Sequence, residues 1–339
     1  MDKVWNELLA FETLDLVKRY VNSKQNKKIN TDRARQITSN FIQGREYFKS
    51  AENASITVRP LLQYYGVMAL SKGLILILNA LSLTEHQLKH SHGLEIKNWK
   101  DTLASKNFED LIIVIGEGTF SELLHSTENI NYLCHNCSAV NYKAILSEPP
   151  KSYEFVFKDI IQYFPDLSKE YELWLEKKLD YAKINDMKFN TEGNNVIIKL
   201  EGEVSDAQLS LLFPASYCGD LKIVNRNESE TVFCYKEVSW SPNLTQSWSA
   251  AFLEIGECCV VPVLKEDVGL NFLSGMYIIS YVLGMMARYF PTTWISLMRT
   301  EVGDKIYPFT HRVLDYIYEK YPKQILVFLN SPYDFEKKD

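Results

Sequence analysis

The chain has 339 residues, 46% apolar and 24% charged, the balance of an ordinary folded protein of at most two or three domains. Fourteen glycines and 11 prolines are too few for a loop-rich all-β shell or a disordered chain, and 20 tyrosines with 17 phenylalanines supply a large core. With 37 basic and 43 acidic residues the net charge is −6, which excludes a broadly basic nucleic-acid surface and leaves room for a local cationic patch.

The opening residues Met1-Asp2-Lys3-Val4-Trp5-Asn6-Glu7 carry no apolar leader. The cleanest apolar run, 73–83, is interrupted by Asn79 and is too short to span a bilayer; 272–290 is longer but contains Ser, Gly and Arg288, which suits a buried core helix. Six cysteines in a chain of this length make no disulfide scaffold. A cytoplasmic protein with reduced thiols and no membrane partner is expected.

In chain order, residues 3–21 place Val4, Leu8, Leu9, Phe11, Leu14, Leu16, Val17 and Val21 at helical spacing, with a break near Glu12-Thr13. Asp32 is the predicted N-cap of a second helix through Ile37, Phe41, Tyr47 and Phe48. Pro60 fits the first turn of a third helix, over about 59–81, where its missing N–H costs nothing. That helix is apolar nearly all round and is therefore predicted to be central. Gly66, Ala69, Gly73 and Ala80 draw a stripe of small residues along it. A glycine inside a helix costs about 1 kcal/mol relative to alanine, so the stripe predicts a closely approaching helix. The neighbour expected is the apolar helix 273–290, which has its own small stripe of Ser280, Gly284 and Ala287 and is stopped by Pro291. The alternative is that each helix packs on its own neighbours.

Between these helices the pattern changes. Leu111-Ile112-Ile113-Val114-Ile115 is a predicted strand ending at Gly116. Helical patterns cover 120–124, 153–163 and 171–181. Strands 188–190 and 196–201 flank Thr191-Glu192-Gly193-Asn194-Asn195, a predicted hairpin, and 231–238 and 258–264 read as further strands. The tail over 305–329 is predicted as one or two helices, and no internal repeat is present.

No P-loop, H-E-x-x-H, G-x-S-x-G or EF-hand signature occurs. Gly116-Glu117-Gly118-Thr119-Phe120-Ser121 leads from a strand into a helix, where a phosphate would find unpaired N–H groups, but it is only a fragment of a dinucleotide fingerprint and Glu117 would repel an anion. A tight strand-to-helix turn explains it more simply. His86, His90 and His92 have a spacing that metal ligands use on a helix, against the plainer reading of solvent-facing imidazoles at a helix end. Cys134-His135-Asn136-Cys137 lacks the second cysteine pair of a structural zinc site, and Cys258-Cys259 reads as ordinary buried thiols. Asp220-Leu221-Lys222, with Asp166 upstream, is a chance-level match to a metal-dependent nuclease strand. No metal or cofactor is expected. Three cations stand at apolar surroundings: Lys72 within the central helix, Arg59 just before Pro60, and Arg288 at the end of the second apolar helix. An ion in a core needs a partner, which is either a structural salt bridge or an anionic ligand, unless the stem snorkels to solvent.

The order of several segments resembles the YaaC-like proteins of bacteria. The carrying residues are Arg59-Pro60-Leu61-Leu62-Gln63-Tyr64-Tyr65-Gly66-Val67-Met68-Ala69-Leu70-Ser71-Lys72-Gly73, then His92-Gly93-Leu94, then Gly116-Glu117-Gly118-Thr119-Phe120. Tyr277-Ile278-Ile279-Ser280-Tyr281 follows, running into Met286-Ala287-Arg288-Tyr289 and Trp294. The resemblance implies no established reaction and supplies no catalytic residues. The Y-Y-G-x-x-x-L-x-K pattern is also similar to the helical HEPN class, which includes ribonucleases, nucleotide-transfer partners and defence components. The R-x(4–6)-H motif of its active nucleases is absent here.

The expected fold is α+β, mainly α: a helical core from the N- and C-terminal segments with a small antiparallel β-containing region inserted, divided as 1–150, 151–269 and 270–339. The leading expectation for function is a non-catalytic, HEPN-like interaction subunit of a bacterial stress or phage-defence module, with a protein partner or homo-oligomer and nucleic acid only at a local site. The alternatives are a nuclease or nucleotide-handling enzyme, or a small-ligand sensor between the two small-striped helices. The candidate anion or ligand site comprises Arg59, Lys72, His90, His92 and Arg288.

Overall fold

A computed structural model describes residues 2–26, 28–80, 82–134, 141–190, 195–214, 221–236, 249–252, 258–262, 264, 268–301 and 305–330. The chain divides into two units: residues 1–128, 150–160 and 273–339 form the first, and residues 129–149 and 161–272 form the second. The fold is α+β and mainly α, and its helical core draws on both ends of the chain.

Unit one begins with α1 (Asp2–Leu8), a 3-10 turn (Leu9–Glu12) and α2 (Leu14–Gln25), so the helical pattern breaks at Thr13. The long helices α3 (Thr31–Glu52) and α4 (Arg59–Leu78) follow. The cap of α3 is Asn30, whose side chain accepts from the Arg33 N–H at 2.8 Å; Asp32, the expected cap, lies inside the first turn. The two helices run antiparallel in close contact. A Cβ on Gly66 would stand 2.6 Å from the Phe48 ring, one on Gly73 2.8 Å from the Phe41 ring, and one on Gly44 2.7 Å from Leu70. The glycines of α4 thus recur every seven residues against phenylalanines of α3 that also recur every seven. Both rings are fully buried, each worth about 2 kcal/mol in apolar area removed from water. The stripe expected to face helix 273–290 faces α3 instead.

Arg33 locks the far end of this pair. Its guanidinium donates to the carbonyls of Leu76 (2.9 Å), Asn79 (3.1 Å) and Ala80 (3.2 Å), capping the C-terminus of α4 with a cation where the helix dipole favours one. Burial pulls its pKa down to about 10, against the opposing pull of Glu85.

Strands β1 (His92–Ile96) and β2 (Ile112–Gly118) pair antiparallel, with helix α5 (Trp99–Ser105) between them in the chain and α6 (Thr119–Ser126) directly after. Gly118, at φ +153°, and Gly93, at φ +79°, meet where β2 turns into α6: a Cβ on Gly93 would lie 2.7 Å from the Phe120 nitrogen. Two donors at this turn are already used. The Thr119 N–H donates to the Ser91 carbonyl (3.0 Å) and the Gly118 N–H to the Ser121 hydroxyl (3.0 Å). The tight-turn reading therefore holds, and the phosphate reading of 116–121 does not. Glu117 is clamped by Lys89 and Lys151, whose hydrogen bonds pull its carboxyl down to about 2.

The third strand of this sheet comes later in the chain, as Glu154–Val156 beside β2, followed by the short helix Phe157–Ile161. A helix over all of 153–163 was expected; pairing of Val156 with Ile112 takes the first part into the sheet instead. The C-terminal segment supplies a long apolar helix, Phe272–Tyr289, then Pro291–Met298 and a single helix, Ile306–Asn330, with Pro322 inside it. That last helix is tied to α4 by the Gln63 amide donating to the Leu314 carbonyl (2.8 Å) and by the buried Ser71–Tyr321 hydroxyl pair (2.6 Å). By length and composition α4 is apolar enough to cross a membrane, and 67% of its most apolar stretch is buried inside the protein.

Unit two holds the remaining strands: β3 (Ile130–Cys134) and β4 (Asn141–Ile145) pair with each other, and β5 is the Glu154–Val156 strand of unit one. The six others are β6 (Ala182–Asn190), β7 (Asn195–Glu201), β8 (Lys222–Asn227), β9 (Glu230–Lys236), β10 (Ser249–Phe252) and β11 (Cys258–Val261). They form one antiparallel sheet in the order β10-β11-β6-β7-β9-β8. Alternation selects its inner face: Val196, Ile198 and Leu200 on β7 and Phe233 and Tyr235 on β9 are buried with Leu209 and Leu212 of the helix Asp206–Leu212. Cys259 is buried. The residues between Cys134 and Asn141, the hairpin tip 191–194 and Asp220 lie outside the described residues, so the C-x-x-C and D-x-K motifs are not described.

In chain order the helices of unit one after α6 are α7 (Phe157–Ile161), α10 (Phe272–Tyr289), α11 (Pro291–Met298) and α12 (Ile306–Asn330); α8 (Ser168–Leu175) and α9 (Asp206–Leu212) belong to unit two.

Candidate functional site

Helix α10 presents Tyr277, Tyr281, Gly284 and Arg288 at i, i+4, i+7 and i+11, which is one face of a helix. Gly284 brings that face against α4, since a Cβ there would stand 2.8 Å from the Cβ of Tyr64. On α4, Tyr64, Met68 and Lys72 follow at successive four-residue steps, with Tyr65 beside them. The first residue of β1, His92, completes the group.

Three tyrosine hydroxyls hold the start of β1. Tyr64 is hydrogen-bonded to His92 Nδ1 at 2.6 Å, Tyr277 donates to the His92 carbonyl at 3.1 Å, and Tyr281 donates to the Leu94 carbonyl at 2.9 Å. The rings pack on one another as well: centroids lie 5.4 Å apart for Tyr64 and His92, 5.6 Å for His92 and Tyr281, and 5.9 Å for Tyr64 and Tyr277. Phe120 closes the inner side against Tyr277 at 5.6 Å.

Burial pushes the hydroxyl pKa values of Tyr64 and Tyr277 well up, and that of Tyr281 up to about 12, so all three remain phenols. Burial also lowers the His92 pKa, and the positive charges of Arg288 and Lys72 push it the same way. His92 is therefore a neutral imidazole. The Tyr64 hydroxyl also meets that of Tyr277, so it can donate to Nδ1 or accept from an Nδ1–H, according to the tautomer of His92. No protein group among the described residues is hydrogen-bonded to the His92 Nε2.

The two cations acting on His92 are uncompensated. Arg288 donates to the Tyr65 hydroxyl at 2.9 Å and its guanidinium lies 5.0 Å from the centre of the Tyr289 ring. Neither Arg288 nor Lys72 forms an ion pair among the described residues. Glu95 is the carboxylate on this side, and it acts on Tyr281. Lys72 and Arg288 thus both lie within electrostatic reach of His92.

The other two candidates stand apart. Arg59 sits in the first turn of α4, 13 residues and about 20 Å of helix from Lys72. It is ion-paired with Asp315 at 2.7 Å and stacks on Tyr318 at 5.8 Å, a structural bridge from α4 to α12. His90 is exposed in the loop before β1, and His86 lies exposed in a 3-10 turn, Glu85–Gln87, so the expected shared helical face of these two does not form. Among the described residues no three His, Cys, Asp or Glu side chains come together as metal ligands do. Sequence reasoning overlooked Tyr64, Tyr65, Tyr277 and Tyr281. The spacing Tyr-x-x-x-Tyr-x-x-Gly-x-x-x-Arg was a readable signal for α10; nothing in it pointed to His92.

The arrangement defines a mainly helical α+β protein with a tyrosine-held histidine on which two cations act. The chain belongs to the YaaC-like protein family, whose family model matches residues 9–329. No curated protein and no solved structure matches it.

Proposed function

We propose that unit one binds a small anionic ligand at Lys72, His92 and Arg288. The observation carrying this reading is that two cations without carboxylate partners among the described residues bear on one imidazole whose Nε2 has no protein partner there. Both cations oppose the charged form of His92, and a bound anion offsets that while accepting charge-assisted hydrogen bonds. The tyrosine frame holds the imidazole ring in position, as a binding site requires. The absence of a carboxylate or thiol positioned as base or nucleophile beside His92 favours a sensor or binding role over catalysis among the described residues. The test is calorimetric titration of the full chain with pyrophosphate and with sulfate. Saturable binding is expected, weakened about 10-fold or more by Lys72→Met or Arg288→Met; titrations without heat for either anion would remove the reading.

A second reading, an interaction subunit of a bacterial stress or phage-defence assembly, is supported by β8. Among the described residues this strand has a neighbour on one side only, and it exposes Ile223 (43%) and Val224 (63%). An edge of this kind pairs with a second copy of itself. Light scattering of the full chain checks it: a dimer that Val224→Lys converts to monomer is the expected result.

A further inference from the structure

We propose, resting on the anion-binding reading above, that the ligand is a phosphate ester carried on a planar aromatic group, the chemistry of a nucleotide. The chain contains 20 Tyr, 17 Phe and 6 Trp. Among the described side chains Tyr289 is the one aromatic ring that stands exposed, at 57%. Its position is not arbitrary. It adjoins Arg288, whose guanidinium centre lies 5.0 Å from the ring centre, and its phenol acts on that of Tyr281, which packs against His92.

A large apolar ring left in water beside uncompensated cations is what a flat ligand requires. The guanidinium of Arg288 is placed to serve both ends of such a ligand. Its hydrogen bond to Tyr65 at 2.9 Å holds it in position, its charge faces the anion, and its plane adds to the stacking surface next to Tyr289. Lys72 and the free Nε2 side of His92, a donor once the ring is protonated, supply the remaining contacts to a tetrahedral group with several oxygens. Glu95, the carboxylate acting on Tyr281, disfavours a second anionic group on that side and can accept from sugar hydroxyls. A bare anion would use Lys72, His92 and Arg288 and leave Tyr289 without a role.

The experiment compares four probes by calorimetry on the full chain: adenosine monophosphate, ribose phosphate, inorganic phosphate and adenosine. Adenosine monophosphate is expected to bind about tenfold more tightly than ribose phosphate or more, the range that base stacking on an aromatic side chain provides. Tyr289→Ala is expected to bring adenosine monophosphate to the ribose phosphate level while leaving ribose phosphate itself unchanged, and Tyr289→Phe to retain the preference. Tyr289 is exposed, so neither variant threatens folding. Equal affinity for the two phosphates, or an adenosine monophosphate affinity indifferent to Tyr289→Ala, would overturn the nucleotide assignment and leave the anion site standing. If none of the phosphates binds, the anion site falls with it.

Discussion

Gly284 and Tyr64 lie 220 residues apart in the chain, yet a Cβ added to Gly284 would come within 2.8 Å of the Tyr64 Cβ. That contact sets the distance between α10 and α4, and with it the distance from Arg288 to Lys72 and from Tyr277 and Tyr281 to His92. The neighbour it would press on is the root of a fully buried side chain and cannot swing aside. Gly284→Ala is therefore expected to destabilise the protein by about 1–3 kcal/mol through overpacking. In thermal unfolding this appears as a lowered midpoint, and in titration as weaker sulfate binding. An alanine variant with unchanged melting and unchanged binding would show that α10 is positioned by other contacts.

Phe41 and Phe48 give a second, separable test of helix spacing. Gly73→Ala is expected to cost about 1–3 kcal/mol because its Cβ would stand 2.8 Å from the Phe41 ring. Phe41→Leu makes a cavity at the same place. Combined, the two changes offset each other, so the double variant is expected to lose less than the sum of the single losses, by about 1 kcal/mol. Chemical denaturation of the three variants measures this coupling.

A Tyr64 hydroxyl that donates to Nδ1 stabilises the neutral form of His92. Tyr64→Phe removes that bond, costs about 1 kcal/mol of stability, and raises the His92 pKa toward its ordinary value. Nuclear magnetic resonance titration of the His92 ring follows the shift directly. A lower or unaltered pKa in the variant would mean that Nδ1 carries the proton and Tyr64 accepts it.

His92 also sets a pH dependence with a definite sign. Its folded pKa lies below the unfolded value near 6.5. Between the two values the unfolded chain holds the extra proton, so stability is fully present above the unfolded pKa and declines as pH falls through it. A bound anion has the opposite preference, because it favours the imidazolium. The groups facing His92 are Lys72 and Tyr64 from α4 and Tyr277, Tyr281 and Arg288 from α10, with Glu95 acting on Tyr281. Of these, only His92 changes charge near neutrality. Sulfate affinity is expected to rise up to about tenfold as pH falls from about 8 to about 5, and His92→Gln to flatten the profile.

Arg33 is expected to matter far more than a surface arginine. Its guanidinium meets three carbonyls at the end of α4, and Arg33→Met leaves them without these donors, at a cost of about 2–3 kcal/mol. Arg33→Lys recovers only part of this, since one ammonium does not span the three acceptors. The melting temperatures of the two variants rank accordingly.

Much of unit one was readable from local pattern. The break at Glu12-Thr13, the Pro60 start of α4 and the strand at 112–118 all follow from residues that are neighbours in sequence. What escaped was partnership. Gly66 and Gly73 announced a close approach, but α10 and α3 are both apolar on one side, and only the matching seven-residue spacing of Phe41 and Phe48 told them apart. Asn30 and Asp32 are equally able to cap a helix, and the choice depends on where the chain turns in. The strand at 154–156 reads as helix in isolation and is extended because β2 offers it a partner. Of the site, the cations Lys72 and Arg288 stood out as charges in apolar helices, and His92 within a histidine-rich loop. The tyrosines that hold His92 did not, because a tyrosine in a helix looks like core until its hydroxyl is seen to meet a strand.

The discontinuity of unit one has a consequence for how the site comes into being. Residues 1–128 contribute Tyr64, Lys72 and His92, and everything from 161 to 272 is made before the chain returns with Tyr277, Tyr281 and Arg288. During synthesis, therefore, the ribosome must finish the whole of unit two's sheet while β1 still lacks two of its three hydroxyl anchors. A nascent chain halted short of α10 carries His92 without its cationic neighbour from that helix. A product truncated before α10 therefore carries only part of the proposed site and is expected to bind no anion.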